Sequence, residues 1–149
     1  MVQAQLRKTF STLTTSHLAF DVFAPAGNPN VTAAVIGFDS PGSQVLVGIG
    51  PGGTCRLFYW IFQGADGGYN SINCAGGIAT NAWIHVDVDF SMPLDGGVAS
   101  ATLTIDGVPR LTNVMLGAVN ETTNFHLTIA ANGYSAGQLW IDNVALDGK

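Results

Sequence analysis

Apolar and polar residues alternate strictly along residues 83–92, and this two-residue period predicts a β-strand with one buried face. The residues predicted to face the core are Ile84, Val86, Val88, Phe90 and Met92. The residues predicted to face solvent are Trp83, His85, Asp87, Asp89 and Ser91. Shorter alternations at 102–106 and 125–129 have the same form. Such strands belong to a sheet that packs on one side and meets water on the other.

The rest of the chain divides into short apolar segments separated by Gly, Pro, Asn and Asp, which is typical of a β-sandwich or barrel. The candidate strands are Gln3–Phe10, His17–Ala24, Thr32–Asp39, Gln44–Ile49, Cys55–Gln63, Tyr69–Cys74, Trp83–Phe90, Ala99–Ile105, Leu111–Leu116, Phe125–Ala131 and Gln138–Leu146. Asp106-Gly107 is the sharpest turn, because both residue types tolerate the positive φ of a type I′ hairpin. With no repeat or linker, a single domain over residues 1–149 is expected.

Gly48, Gly50 and Gly53 have the G-x-G-x-x-G spacing of a dinucleotide-binding turn. That turn requires a helix after it, whose N-terminus faces the pyrophosphate. Residues 54–62 are instead rich in aromatic and β-preferring side chains. The glycines are therefore predicted to form the tip of a β-hairpin, and no nucleotide cofactor is expected.

The charge of the chain excludes some classes of partner. Of 149 residues only 10% are charged, five are Lys or Arg, and the formal net charge is −5. Nucleic acid binding requires clustered basic residues, which this chain lacks. No apolar run approaches the roughly 20 residues of a membrane span. The first residues show no basic segment followed by an apolar one, so no secretory leader is predicted there.

Cys55 and Cys74 are the only cysteines, and they flank a predicted hairpin whose tip lies at residues 64–68. Residues opposite each other in such a pair are nearly close enough for a disulfide. Two buried thiols are the alternative. The pattern favours the disulfide and, with it, an extracellular, periplasmic or cell-surface location.

Three runs in the second half of the chain resemble one family of β-sandwiches. They are Ala82-Trp83-Ile84-His85-Val86-Asp87-Val88, Ala101-Thr102-Leu103-Thr104-Ile105-Asp106-Gly107 and Leu139-Trp140-Ile141-Asp142-Asn143-Val144. They look like strands of a concanavalin A-like jelly roll, the superfamily of laminin-G-like modules, lectins and some glucanases; jelly-roll carbohydrate-binding modules are a near alternative. The resemblance implies an all-β, antiparallel two-sheet sandwich.

Glucanases of that superfamily carry Glu-x-Asp-x-x-Glu on one strand, whereas this chain has a single glutamate, Glu121. The missing motif predicts that the chain is not an enzyme. The fold also makes calcium plausible, because calcium takes carboxylate and carbonyl oxygens from loops. The candidate ligands are Asp142, Asn143 and Asp147, with Asp39 and Asp95 as an alternative.

Sugar binding usually uses an aromatic ring beside polar groups that fix hydroxyls. Tyr69 with Asn70, Tyr134 and Trp140 are the predicted carbohydrate-binding residues, the two tyrosines because they lie in Gly-rich turn regions. Phe58, Trp60 and Phe62 are predicted to be core residues, because a central strand needs large apolar side chains.

His85, Asp87 and Asp89 recur at every second position, so they share one strand face. They could hold a metal, and the two carboxylates could act as an inverting acid–base pair. The simpler interpretation, which the pattern favours, is a solvated face that keeps the sheet soluble. His17 and His126 are predicted to be isolated surface residues.

The sequence thus predicts a noncatalytic module that binds carbohydrate, with or without calcium. A structural or adhesive domain that contacts surface proteins or copies of itself is the main alternative, because exposed edge strands can pair. A glycan hydrolase or lyase that uses Asp87 and Asp89 is a third.

Overall fold

The chain folds into β-strands that form two antiparallel sheets, as seen in a computed structural model. The structure describes residues 4–12, 15–23, 31–38, 44–50, 53–61, 68–91, 98–118, 123–131 and 140–148. The strands are β1 (Ala4–Thr12), β2 (Thr15–Phe23), β3 (Val31–Phe38), β4 (Gln44–Gly50), β5 (Thr54–Ile61), β6 (Gly68–Asn73), β7 (Trp83–Ser91), β8 (Val98–Ile105), β9 (Val108–Ala118), β10 (Thr123–Ala131) and β11 (Trp140–Gly148).

One sheet has six strands in the order β1-β10-β3-β4-β5-β6, and the other has five in the order β11-β2-β7-β8-β9. The chain crosses between the sheets after β1, β2, β6, β9 and β10. Strands distant in sequence therefore become neighbours, as β11, β2 and β7 do. The predicted all-β, antiparallel jelly-roll sandwich is confirmed. No helix in the described ranges is long and apolar enough to cross a membrane.

The core lies between the sheets and is built from alternate residues of each strand. In β7 the buried positions are Ile84, Val86, Val88 and Phe90. In β2 and β8 they are Leu18, Phe20, Val22, Ala99, Ala101, Leu103 and Ile105, and the six-stranded sheet contributes Val47, Cys55 and Leu57. The predicted core face of residues 83–92 is thus confirmed as far as Phe90, since Met92 lies outside the described residues.

At two turns, a positive φ explains why the residue is glycine. β4 ends at Gly50, β5 begins at Thr54, and the two residues pair across the hairpin. Gly53 has a φ of 74° and its carbonyl accepts a hydrogen bond from the Ile78 amide at 2.8 Å. A strand and not a helix follows the glycines, so the predicted hairpin is confirmed. At the β8–β9 turn, Asp106 and Gly107 have φ values of 51° and 74°, as a type I′ turn requires.

The two cysteines form a disulfide, which settles the choice between a bridge and free thiols. Their Cα atoms are 5.3 Å apart, and the Cys74 amide donates a hydrogen bond to the Cys55 carbonyl at 3.0 Å. The bridge therefore extends the β5–β6 ladder by one residue pair beyond Arg56 and Asn73.

Candidate functional site

Three aromatic side chains form a row across one end of the outer face of the five-stranded sheet. Trp140 of β11 pairs in register with Phe23 of β2, which pairs on its other side with Trp83 of β7. The Phe23 ring centroid lies 5.4 Å from that of Trp140 and 5.8 Å from that of Trp83. Trp140 is 46% exposed and Trp83 is 52% exposed. Large rings left in water on a folded surface indicate a contact site. We call these three residues the aromatic row.

The next position inward on the same face is polar. Asp21 of β2 lies between Asp142 of β11 and His85 of β7. One Asp21 oxygen is 2.5 Å from His85 Nδ1, and the other accepts a hydrogen bond from the Asn143 side-chain amide at 2.5 Å. A carboxylate with two partners in fixed positions is held in place beside the aromatic row. We call Asp21, His85 and Asn143 the Asp21 cluster.

A β-bulge in β11 places Asn143 over Asp21. The register of β11 against β2 shifts between Asp142 and Ala145, and Asn143 has a left-handed φ of 51°. Asparagine tolerates that conformation better than most residues. The backbone amide of Asn143 also donates a hydrogen bond to the Asp142 carboxylate at 2.8 Å, which fixes the bulge. The Asp142-Asn143 pair thus links the Asp21 cluster to Trp140, two residues earlier in the strand.

Carboxylates and imidazoles then alternate down the face from the Asp21 cluster. His85 Nε2 is 3.4 Å from Asp87 Oδ1, and the same oxygen is 3.3 Å from His17 Nε2. His17 Nδ1 is 2.8 Å from Asp89. His17 is therefore paired and not isolated as predicted. Each carboxylate of this series, Asp21, Asp87 and Asp89, therefore lies beside an imidazole. In the described ranges, no group of three or more His, Cys, Asp or Glu is arranged to hold a metal ion.

Hydrogen bonding shifts the pKa values of the Asp21–His85 pair in opposite directions. The pKa of Asp21 is held below its ordinary value of 3.8, most by the hydrogen bond from the Asn143 side-chain amide and next by the hydrogen bond with His85. The pKa of His85 is raised above 6.5, mainly by the hydrogen bond to Asp21 and further by the negative charge of nearby Asp87. Partial loss of hydration acts in the opposite direction. The pair is therefore most strongly held when Asp21 is ionised and His85 is protonated.

The stability of the fold should depend on pH through this pair. The Asp21 contribution is present above pH 3.8, and the His85 contribution is fully present below pH 6.5 and is lost as pH rises through the raised pKa. We expect the wild type to exceed His85→Gln in stability by more at pH 5.5 than at pH 8.5. The difference should stay below about 1 kcal/mol, because both side chains contact solvent. Urea denaturation of both proteins at the two pH values measures it; a gap that grows with pH would contradict the assignment.

The structure brings together some of the predicted site residues and separates others. Trp140 lies in the aromatic row, and Asp142 and Asn143 lie beside it. Asp147, predicted to share a calcium with these two, is paired with His17, four positions along β2 from Asp21. Tyr69 and Asn70 belong to β6 of the other sheet.

Several other predictions lie outside the described residues: those for Tyr134, Asp39, Asp95 and Phe62, and those for the side chains of Tyr69, Asn70, Phe58, Trp60 and His126. His85, Asp87 and Asp89 lie on the solvent-exposed face, as the simpler interpretation had it. Sequence reasoning missed Phe23 and Asp21. The available signal was the alternation of residues 17–23, whose partly buried, outward-facing members are His17, Ala19, Asp21 and Phe23.

Family comparison agrees with the fold. The family profile described as the concanavalin A-like lectin/glucanases superfamily matches residues 4–146, nearly the whole chain. The chain belongs to this superfamily. The resemblance inferred from its second half is thereby confirmed. No match was found among curated proteins.

Solved structures with the same fold include both lyases and lectins. Endo-β-1,4-glucuronan lyase from the fungus Trichoderma reesei has a TM-score of 0.70 at 11% identity, covering 98% of this chain and 76% of the lyase. An alginate lyase, Aly36B, in complex with an alginate trisaccharide has a TM-score of 0.69 at 13% identity, covering 97% and 75%. A tetrameric galectin from the ball sponge Cinachyrella sp. has a TM-score of 0.56 at 9% identity, covering 96% and 99%.

The prediction that the chain is not an enzyme is contradicted by these comparisons, because lyases have the same fold over nearly the whole chain. The prediction rested on the absence of Glu-x-Asp-x-x-Glu. That motif serves hydrolysis through paired carboxylates, whereas a lyase breaks the glycosidic bond by elimination. Its absence therefore says nothing about catalysis of a different kind.

Proposed function

We propose that the chain binds a carbohydrate on the outer face of the five-stranded sheet, where the aromatic row and the Asp21 cluster lie side by side. The observation that carries the proposal is the half-exposure of Trp83 and Trp140 at the same end of one sheet. Indole rings in water present an apolar surface on which the C–H face of a pyranose can stack. Membership of a superfamily that contains lectins supports the same function.

The polar groups beside the rings can form specific hydrogen bonds with a sugar, which ring stacking alone does not provide. Oxygens of Asp21 and Asp142 accept hydrogen bonds, and the His85 imidazole can donate or accept according to its protonation. Sugar hydroxyls are recognised by such fixed donors and acceptors. Asp21 is held by two partners before any ligand arrives, so little conformational entropy is lost when a hydroxyl binds.

Substitution of the tryptophans tests the proposal. Trp83→Ala and Trp140→Ala should each weaken glycan binding about 10- to 100-fold, the cost of losing a central aromatic contact. Met115→Ala is the matched control, because Met115 is a 58% exposed apolar residue of β9, away from the row. A glycan array, run with calcium and with EDTA, identifies the ligand, and calorimetry then compares the variants.

Each outcome has a consequence. A folded double variant, Trp83→Ala with Trp140→Ala, that binds the glycan as tightly as wild type would refute this location. A silent array, together with self-association that these substitutions abolish, would favour the adhesive alternative. The Cys55–Cys74 disulfide supports an oxidising location for either role, such as the extracellular space, the periplasm or the cell surface.

A further inference from the structure

Within the described residues, the charged groups near the aromatic row are carboxylates and the imidazole of His85, with no lysine or arginine among them. The five strands of this sheet carry Asp21, Asp87, Asp89, Asp142 and Asp147. None of the five Lys and Arg residues of the chain occurs in β2, β7, β8 or β11. Arg110 belongs to β9, and its guanidinium donates to the Ala75 carbonyl at 3.1 Å. Arg7, Lys8 and Arg56 belong to the other sheet, and Lys149 lies outside the described residues.

The two histidines do not reverse the sign of this face. Even with His17 and His85 both protonated, the five carboxylates outnumber them. The Asp142 carboxylate is exposed, and within the described part of the chain no imidazole, ammonium or guanidinium forms a salt bridge with it. It accepts the Asn143 backbone amide through one oxygen. An exposed carboxylate that has no cationic partner among the described residues thus lies two residues from Trp140 in β11.

We infer that the carbohydrate recognised by this surface is an amino sugar that carries a free, protonated amine; the inference rests on the proposed function. Carboxylates attract an ammonium group, and the faces of exposed indole rings attract cations as well. Two independent features, the tryptophans and the carboxylates, therefore favour the same ligand. A uronic acid would bring a negative charge against several others, which is unfavourable. This separates the surface from the substrates named for the glucuronan and alginate lyases, which are polyuronates.

Four oligosaccharides of equal length test the inference: oligomers of glucosamine, N-acetylglucosamine, glucose and a uronic acid. Calorimetry at pH 6 and low salt should show at least tenfold tighter binding of the glucosamine oligomer than of the two neutral ones. The uronic acid oligomer should bind weakest. Added salt should reduce the preference for the amine, because it screens exposed charges. Acetylation removes the charge and leaves the ring, so the comparison isolates the ammonium group.

Variants locate the effect. Asp142→Asn should reduce the preference for the amine over the neutral oligomers about fivefold, because the substitution removes the charge and keeps one acceptor oxygen. Asp147→Asn, which removes a charge from the same strand at its far end, should change it less than twofold. Trp140→Ala should weaken binding of every oligomer that binds.

The outcomes separate the two claims. Equal binding of the amine and neutral oligomers, lost in Trp140→Ala, would overturn the amino-sugar inference and keep the proposed function. A preference for the amine that is unchanged in Asp142→Asn would overturn the inference too, since the attraction would then lie elsewhere. No binding of any oligomer by the folded wild type would overturn the inference, and a silent glycan array would overturn the proposed function with it.

Discussion

Replacement of Gly53 by alanine is expected to lower the free energy of unfolding by about 3 kcal/mol, because two costs coincide at this residue. The first is the left-handed backbone, with a φ of 74° that a residue with a side chain adopts reluctantly. The second is space: an alanine Cβ would overlap the carbonyl oxygen of Ile78. That oxygen belongs to backbone next to a buried side chain, so it cannot rotate away as a flexible side chain would.

Gly107→Ala is the matched control for this prediction. Gly107 has the same φ of 74°, but an added Cβ would meet no atom within 4 Å. Gly107→Ala should lower the free energy of unfolding only through the strained backbone, by about 1–2 kcal/mol. Urea denaturation of the two variants and wild type gives both values, and their difference measures the clash with Ile78. Equal losses in the two variants would show that the contact between Gly53 and Ile78 is not as tight as the structure has it.

Loss of the Cys55–Cys74 disulfide should lower the free energy of unfolding by about as much as Gly53→Ala does. The bridge joins residues 19 positions apart, and a loop of this size restricts the unfolded chain enough to contribute about 3 kcal/mol. The double variant Cys55→Ser with Cys74→Ser should lose that stability in urea denaturation. Wild type treated with a reductant should show the same loss, and the double variant should not respond to reductant. A variant as stable as oxidised wild type would contradict the expectation.

The predictions that the structure confirmed rest on short-range patterns. Alternation alone assigned the buried and exposed residues of β7 from Trp83 to Phe90, because successive side chains of a strand point to opposite faces. Asp106-Gly107 identified its own turn through the backbone conformation that it tolerates. The disulfide followed from the lengths of two neighbouring segments. In each case the deciding residues are within about twenty positions of each other.

The candidate site could be predicted only in part, because it joins strands that are far apart in the chain. The aromatic row needs β2 between β7 and β11, and no local pattern specifies those neighbours. Trp140 was therefore identified as an aromatic beside Asp142, while its partner Phe23 was missed. Asn143 reaches Asp21 through a bulge, which strict alternation does not anticipate.

Strand ends differ from prediction for a similar reason. The segment predicted as 111–116 extends in the structure over Val108–Ala118, with register shifts along its pairing with β8. β9 is the last strand of its sheet, where the irregular pairing and Pro109 cost little, because no further strand pairs with its outer side. Where a strand is irregular, its apolar residues no longer recur at every second position, so the predicted strand was shorter than the observed one.

The Asp142-Asn143 bulge also affects how copies of the protein meet. β11 is an outermost strand, and the free amides and carbonyls of such a strand can template the addition of another chain, the first step of amyloid-like growth. The bulge breaks the regular repeat of those groups, and Asp142 and Asp147 add charge along the strand. One irregularity therefore protects the protein from aggregation at this edge while it holds Asp21 in place.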